Sequence, residues 1–143
     1  MGAELPSLGD AVLWLPISLR ERRRWGRGAP PGEARVFYGF DRLPPATEMS
    51  GGLVKVLDLL PVFPNCPQGA GILYLISSAL PRLSGLMARR AQASGARVVL
   101  NQNGVAYPGW HGPGWERTNR PMRELVHLAD HVFYQSAFCR EAA

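Results

Sequence analysis

The sequence predicts an α/β fold built on a parallel sheet with helices packed against it, and three observations carry that expectation. From residue 35 onward, short apolar runs alternate with segments of helical periodicity. The run Ile72 to Ile76 (ILYLI) is continuously apolar, as suits a parallel strand covered on both faces. Polar residues collect after each strand, where ligands meet a doubly wound sheet.

Residues 1–34 stand apart as a basic leader rich in Pro and Gly. Leu13, Trp14, Leu15, Ile17 and Leu19 cluster ahead of Arg20, Arg22, Arg23, Arg24 and Arg27, and a Gly/Pro linker follows. Two readings stay open for the leader. It is poorly ordered, or it makes weak contact with an anionic membrane surface, apolar residues entering the headgroups and arginines meeting the lipid charge.

Arg35 to Phe40 reads as the first strand. Gly51 and Gly52 open a helix whose apolar positions Leu53, Val56, Leu57 and Leu60 repeat at helical spacing, until Pro61 and Pro64 end it. After the second strand, Pro81 fits the first turn of a helix with Leu83, Leu86, Met87 and Ala91 inward and Gly95 just past its end. Arg97 to Leu100 is the third strand. A Gly/Pro/Trp loop runs from Asn101 to Thr118. Asn119 then caps a helix with Pro121 in its first turn and Met122, Leu125, Val126 and Ala129 inward. His131 to Tyr134 is the fourth strand, and Ser136 caps a helix that has barely begun at Ala143. Strand–helix alternation of this kind implies right-handed crossovers.

Composition narrows the class. A chain of 143 residues suits one domain, and 46% apolar with 19% charged residues excludes wholesale disorder. The charge of +5 is almost all arginine, since Lys55 is the only lysine. Those arginines gather in the leader and do not interleave with aromatics along one face, which argues against a nucleic-acid partner. Cys66 and Cys139 lack C-x-x-C spacing, and the leader lacks the order of a signal peptide. The expected location is cytoplasmic, with the inner face of the plasma membrane as the place for any peripheral contact.

The candidate site residues follow the strands. Ser50, Gly51 and Gly52 open a helix N-terminus where a ligand can approach bare backbone. Asn101, Asn103 and Gly104 offer uncharged donors and acceptors suited to hydroxyl-rich ligands, and Tyr107 and Trp110 offer flat faces for stacking. His111 lies in the same loop, Asn119 beyond it, and Gln135 and Ser136 close the fourth strand. His111, His127 and His131 show no metal-ligand spacing. A nucleophile elbow, a P-loop and a G-x-G-x-x-G fingerprint are all lacking, which argues against a hydrolase, a P-loop enzyme or a dinucleotide oxidoreductase.

Four segments together resemble a known family: SGGLVKV (Ser50 to Val56), ILYLISSALP (Ile72 to Pro81), VVLNQNGVAYPGW (Val98 to Trp110) and ADHVFYQSAFC (Ala129 to Cys139). They are similar to bacterial group 1, family-4-type glycosyltransferases of GT-B fold, over residues 35–143. The resemblance implies a Rossmann-like domain, the N-terminal, acceptor-side half of two that face each other across a cleft. The partner it implies is the second, C-terminal Rossmann-like domain of the same enzyme, which carries the donor site. The implied reaction moves a sugar from a nucleotide diphosphate sugar to a hydroxyl acceptor, with retention, no metal and no cofactor besides that donor substrate. Ser50, Gly51 and Gly52 match the loop near the donor phosphates. Asn101, Asn103, Gly104, Tyr107, Trp110, His111 and Asn119 fall on the acceptor side. Asn101 and Asn103 depart from the histidine or other polar residue that many relatives place there, so no catalytic residue is assigned. As a fragment, the chain is expected to be inactive by itself. The competing expectation is a non-catalytic module that binds a sugar or nucleotide.

Overall fold

Side chains alternate along the strands, and this alternation decides where each helix sits. The computed structural model describes residues 16, 19–25, 32–49 and 51–143; Ser50 and most of the leader lie outside the described residues. Among the described residues, four strands form one all-parallel sheet in the order β1 (Val36–Phe37), β2 (Ile72–Ile76), β3 (Arg97–Gln102) and β4 (His131–Tyr134). The helices are α1 (residues 19–25), α2 (Val54–Leu59), α3 (Ser84–Ala93), the single turn α4 (Pro108–His111), α5 (Trp115–Leu128) and α6 (Ala137–Glu141). This is the Rossmann-like α/β architecture that the sequence predicts.

Phe37, Leu73, Leu75, Val98 and Leu100 point to one face and are buried against Met87, Ala88 and Ala91 of α3 and Leu125 of α5. Burying each such leucine contributes about 1.5–3 kcal/mol. Val36, Tyr38 and Ile76 point to the other face, where Val56 of α2 covers them. The Tyr38 hydroxyl donates to the Phe63 carbonyl at 2.9 Å, and burial pushes its pKa up to about 12.

A single parallel rung, Val36 to Asn65, extends the free side of β1, with the Cys66 N–H donating to the Val36 carbonyl at 2.8 Å. The chain therefore leaves β1 outward over the α2 face, returns past β1 to β2, and moves the other way over the α3–α5 face. Reversing both direction and face preserves the hand, so the two excursions share one handedness. The lateral direction changes between β1 and β2, which makes this the topological switch point.

Several boundaries differ from the sequence expectation. The first strand is two residues long because the Asn65 side chain takes the Tyr38 N–H at 3.2 Å and Gly39, at φ +87°, turns the chain. The third strand runs two residues longer, through Gln102. The third helix starts at Ser84, after a left-handed Leu83 (φ 57°), so Ser84, Met87, Ala88 and Ala91 face inward and Leu83 and Leu86 are only half-buried. Gly85 lets it close on α5, since a Cβ there would stand 2.5 Å from the Glu124 carboxylate. The fifth helix begins at Trp115, which places Pro121 in its interior and Asn119 in its second turn.

Part of the leader belongs to the domain. Trp25 packs edge-on against Phe37 at 6.1 Å, and its Nε1 donates to buried Glu21 at 3.1 Å. Arg24, grouped by sequence with the lipid-facing arginines, is buried; it pairs with Glu21 and Asp41, donates to the Pro67 carbonyl, and lies 4.1 Å over the Phe37 ring. Arg20, Arg22 and Arg23 are exposed. Among the described residues, no helix is long and apolar enough to cross a membrane.

The C-terminal end of α3 closes in a Schellman arrangement. Gly95 sits at φ +85°, its N–H donating to Gln92 at 2.9 Å while the Ala96 N–H reaches Ala91 at 3.0 Å. A Cβ on Gly95 meets nothing within 4 Å, so substitution there costs backbone strain alone. Gly95→Ala is expected to lower stability by about 1–2 kcal/mol in urea denaturation, whereas Gly104→Ala, in open space without a positive φ, should change little.

Asp130 ties the start of β4 to β3, accepting from the Val98 N–H at 2.8 Å and from Arg97 at 2.9 Å. The Val98 N–H, with help from Arg97 and Gln92, holds its carboxyl below the usual range despite partial desolvation. A depressed folded pKa gives stability that is present above the ordinary carboxylate pKa and lost as pH falls through the lowered value. Asp130→Asn should therefore be less stable than the parent at neutral pH, and the gap should close in acid, as read from urea melts at the two conditions.

Candidate functional site

The parallel ladder brings all the strand C-termini to one end of the sheet, and the polar residues that follow them meet there. β2 ends in a turn at Ser77–Ala79, while β3 runs one residue past the partner of Ile76, to Gln102, and hands on to Asn103. The Ser77 hydroxyl donates to Asn103 Oδ1 at 2.6 Å and accepts from the Asn103 N–H at 3.0 Å. The Ser78 N–H also reaches Asn103 Oδ1, at 3.2 Å, and Asn103 Nδ2 donates to the Ser78 hydroxyl at 2.8 Å. One carboxamide thus locks the ends of β2 and β3 together, directly beside the switch point.

Gly52 completes this knot. A Cβ on it would lie 2.4 Å from both Ile76 Cγ2 and Ser78 Oγ and 3.0 Å from Asn103 Nδ2. The space its missing side chain frees is therefore filled by the protein itself. This corrects the sequence expectation of bare backbone open to a ligand. Gly51 does face open space, in a 3-10 turn (Gly51–Leu53) that precedes the six-residue α2. Ser50 lies outside the described residues.

A second group adjoins the first. Lys55 Nζ donates to Asn101 Oδ1 and to Gln135 Oε1, each at 3.2 Å. Asn101 Nδ2 in turn donates to the Tyr74 hydroxyl at 2.9 Å. Asn101, Asn103, Gly52 and Gln135 are thus brought to one end, with Lys55, Tyr74, Ser77 and Ser78 added. Sequence reasoning noted Lys55 only for its rarity. The available signal was its place one turn after Gly51-Gly52, beside the buried Val56.

The aromatic loop forms a separate patch. Tyr107 precedes α4 and Trp110 lies within it, with ring centroids 6.5 Å apart, and Trp110 is 70% exposed. His111 Nε2 shares a 3.0 Å hydrogen bond with the Thr118 hydroxyl. Asn119 is no surface contact. It is buried, and its amide pairs with both the N–H and the carbonyl of Ala106 at 2.8 Å, fastening the loop to α5. That internal role corrects both its expected capping and its acceptor-side placement. Gly104 is half-buried, its carbonyl accepting from Gln102 Nε2 at 2.8 Å. Ser136 caps α6 by accepting from the Cys139 N–H at 3.2 Å, as its sequence position suggests.

The assembled cluster is chemically simple: carboxamides, hydroxyls and one ammonium. Such groups suit a hydroxyl-rich ligand or an anion. Among the described residues, no three His, Cys, Asp or Glu side chains are placed to hold a metal ion. No protein-family model, curated protein or solved structure matches this chain.

Because Gly52 is held between Ile76 and Ser78, Gly52→Ala should cost about 1–3 kcal/mol by overpacking. Chemical denaturation measures this, and an unchanged midpoint would show that the knot has slack.

Proposed function

We propose that this chain is the acceptor-side, Rossmann-like half of a GT-B glycosyltransferase. The observation that carries the reading is the convergence of Gly52, Asn101, Asn103 and Gln135, with Lys55, at the strand ends beside the switch point. That is where open α/β sheets receive ligands. The four sequence segments that resemble the family contribute these same residues.

In this reading the carboxamides of Asn101 and Asn103 orient acceptor hydroxyls, and Tyr107 and Trp110 supply apolar faces for a pyranose ring. A second Rossmann-like domain holds the nucleotide diphosphate sugar. Helix N-termini and arginines stabilise the departing diphosphate electrostatically. Every member of the cluster except Lys55 is neutral, an observation that favours one other reading: a module that binds a sugar or nucleotide without chemistry.

Mass-spectrometric transfer assays with nucleotide diphosphate hexoses separate the two. The 143-residue chain alone should show no turnover, and a polypeptide extended by the downstream reading frame should transfer sugar. Turnover by the chain alone would falsify the two-domain site. Binding of free sugar without transfer by the extended polypeptide would favour the module.

A further inference from the structure

We propose that Lys55 and Phe133 form a subsite for a sugar that carries an acidic group, a carboxylate or a phosphate. The inference rests on the acceptor-side reading above and gives it a substrate class. Lys55 is the single lysine in a chain that otherwise uses arginine. Arg24, Arg89 and Arg97 each pair with a carboxylate, on Glu21 and Asp41, Glu124 and Asp130 respectively. Lys55 instead meets two neutral amide oxygens, of Asn101 and Gln135, which hold the ammonium without cancelling its charge. Two of its three N–H donors are thereby used, and one remains for a ligand.

The holder is itself fixed. Asn101 Nδ2 donates to the Tyr74 hydroxyl, which turns the amide oxygen toward Lys55. The ammonium is therefore positioned before a ligand arrives, and binding need not spend free energy ordering it.

The surface beside it supplies the second contact. Asn101 pairs in register with Phe133 across the β3–β4 ladder, so the two side chains are neighbours on the face opposite α3 and α5. Phe133 is 52% exposed, and His131 meets its ring edge-on at 4.5 Å. Among the described residues no carboxylate pairs with Lys55, and an exposed aromatic ring next to such a cation matches a ligand with an apolar ring face and an anionic substituent, as in a uronate or a sugar phosphate.

The test is a titration of the 15N-labelled 143-residue chain with glucuronate, glucose 6-phosphate, glucose and inorganic phosphate. Amide shifts at Lys55, Asn101, Phe133 and Gln135 are expected with the two charged sugars, and binding should weaken as salt rises. Glucose should bind about tenfold more weakly, the loss associated with one charge-assisted hydrogen bond. Lys55→Met should abolish the preference for charged sugars, and Phe133→Ala should lower affinity for them toward that of inorganic phosphate. The relative response to glucuronate and glucose 6-phosphate identifies which acid the site takes. Equal binding of glucose and glucuronate, or no shifts at these four residues, overturns the proposal. That comparison uses the unaltered chain, so it stands even if a variant fails to fold. A binding module without transferase activity would still show the anion preference, whereas transfer without that preference would remove this inference alone.

Discussion

The parallel pairing of β2 with β3 is the constraint on which the rest of the molecule depends. Leu73 opposite Val98 and Leu75 opposite Leu100 build one continuous apolar surface, and the period of two sends Tyr74 and Asn101 to the opposite side. Slipping the register by one residue would bury Asn101 and expose Leu100, so the hydrophobic pattern fixes the pairing. Since the strands are parallel, that one register also brings Ser77, Ser78, Asn101 and Asn103 to the same end. Core and candidate site are thus two consequences of one alignment.

At that end the protein satisfies most of its own polar groups. Asn103 spends its amide oxygen and one of its two amide N–H donors on Ser77 and Ser78, and the missing Gly52 side chain lets them close. These contacts make a rigid floor. The groups with capacity left for a ligand lie at its margins: Lys55 beside Asn101, the exposed ring of Phe133, and Trp110 on the aromatic loop. A rigid floor with a few unsatisfied groups at its edge is the pattern expected of a preorganised binding site.

Much of this was legible from the sequence because it is local or periodic. The second and fourth strands, the cap at Ser136 and the glycine stop at Gly95 follow from runs, side-chain chemistry and positive φ. Other features depended on distant partners. Asn119 looks like a cap because asparagine favours that position, but Ala106, thirteen residues earlier, claims both ends of its amide. Arg24 looks like part of a surface charge run, yet Glu21, Asp41 and Phe37 give it a buried place that charge counting cannot show. Gly51 and Gly52 read as a pair, and only the positions of Ile76 and Ser78 separate one from the other.

The sequence by itself determined the class of the fold, the order of its elements and the tendency of polar residues to follow strands. Those properties come from side-chain periodicity and turn chemistry, which act over a few residues. The tertiary structure alone decided which polar groups are spent within the protein and which stay available. That outcome depends on contacts between residues such as Lys55 and Gln135, eighty positions apart in sequence, made neighbours by crossovers that no local pattern encodes.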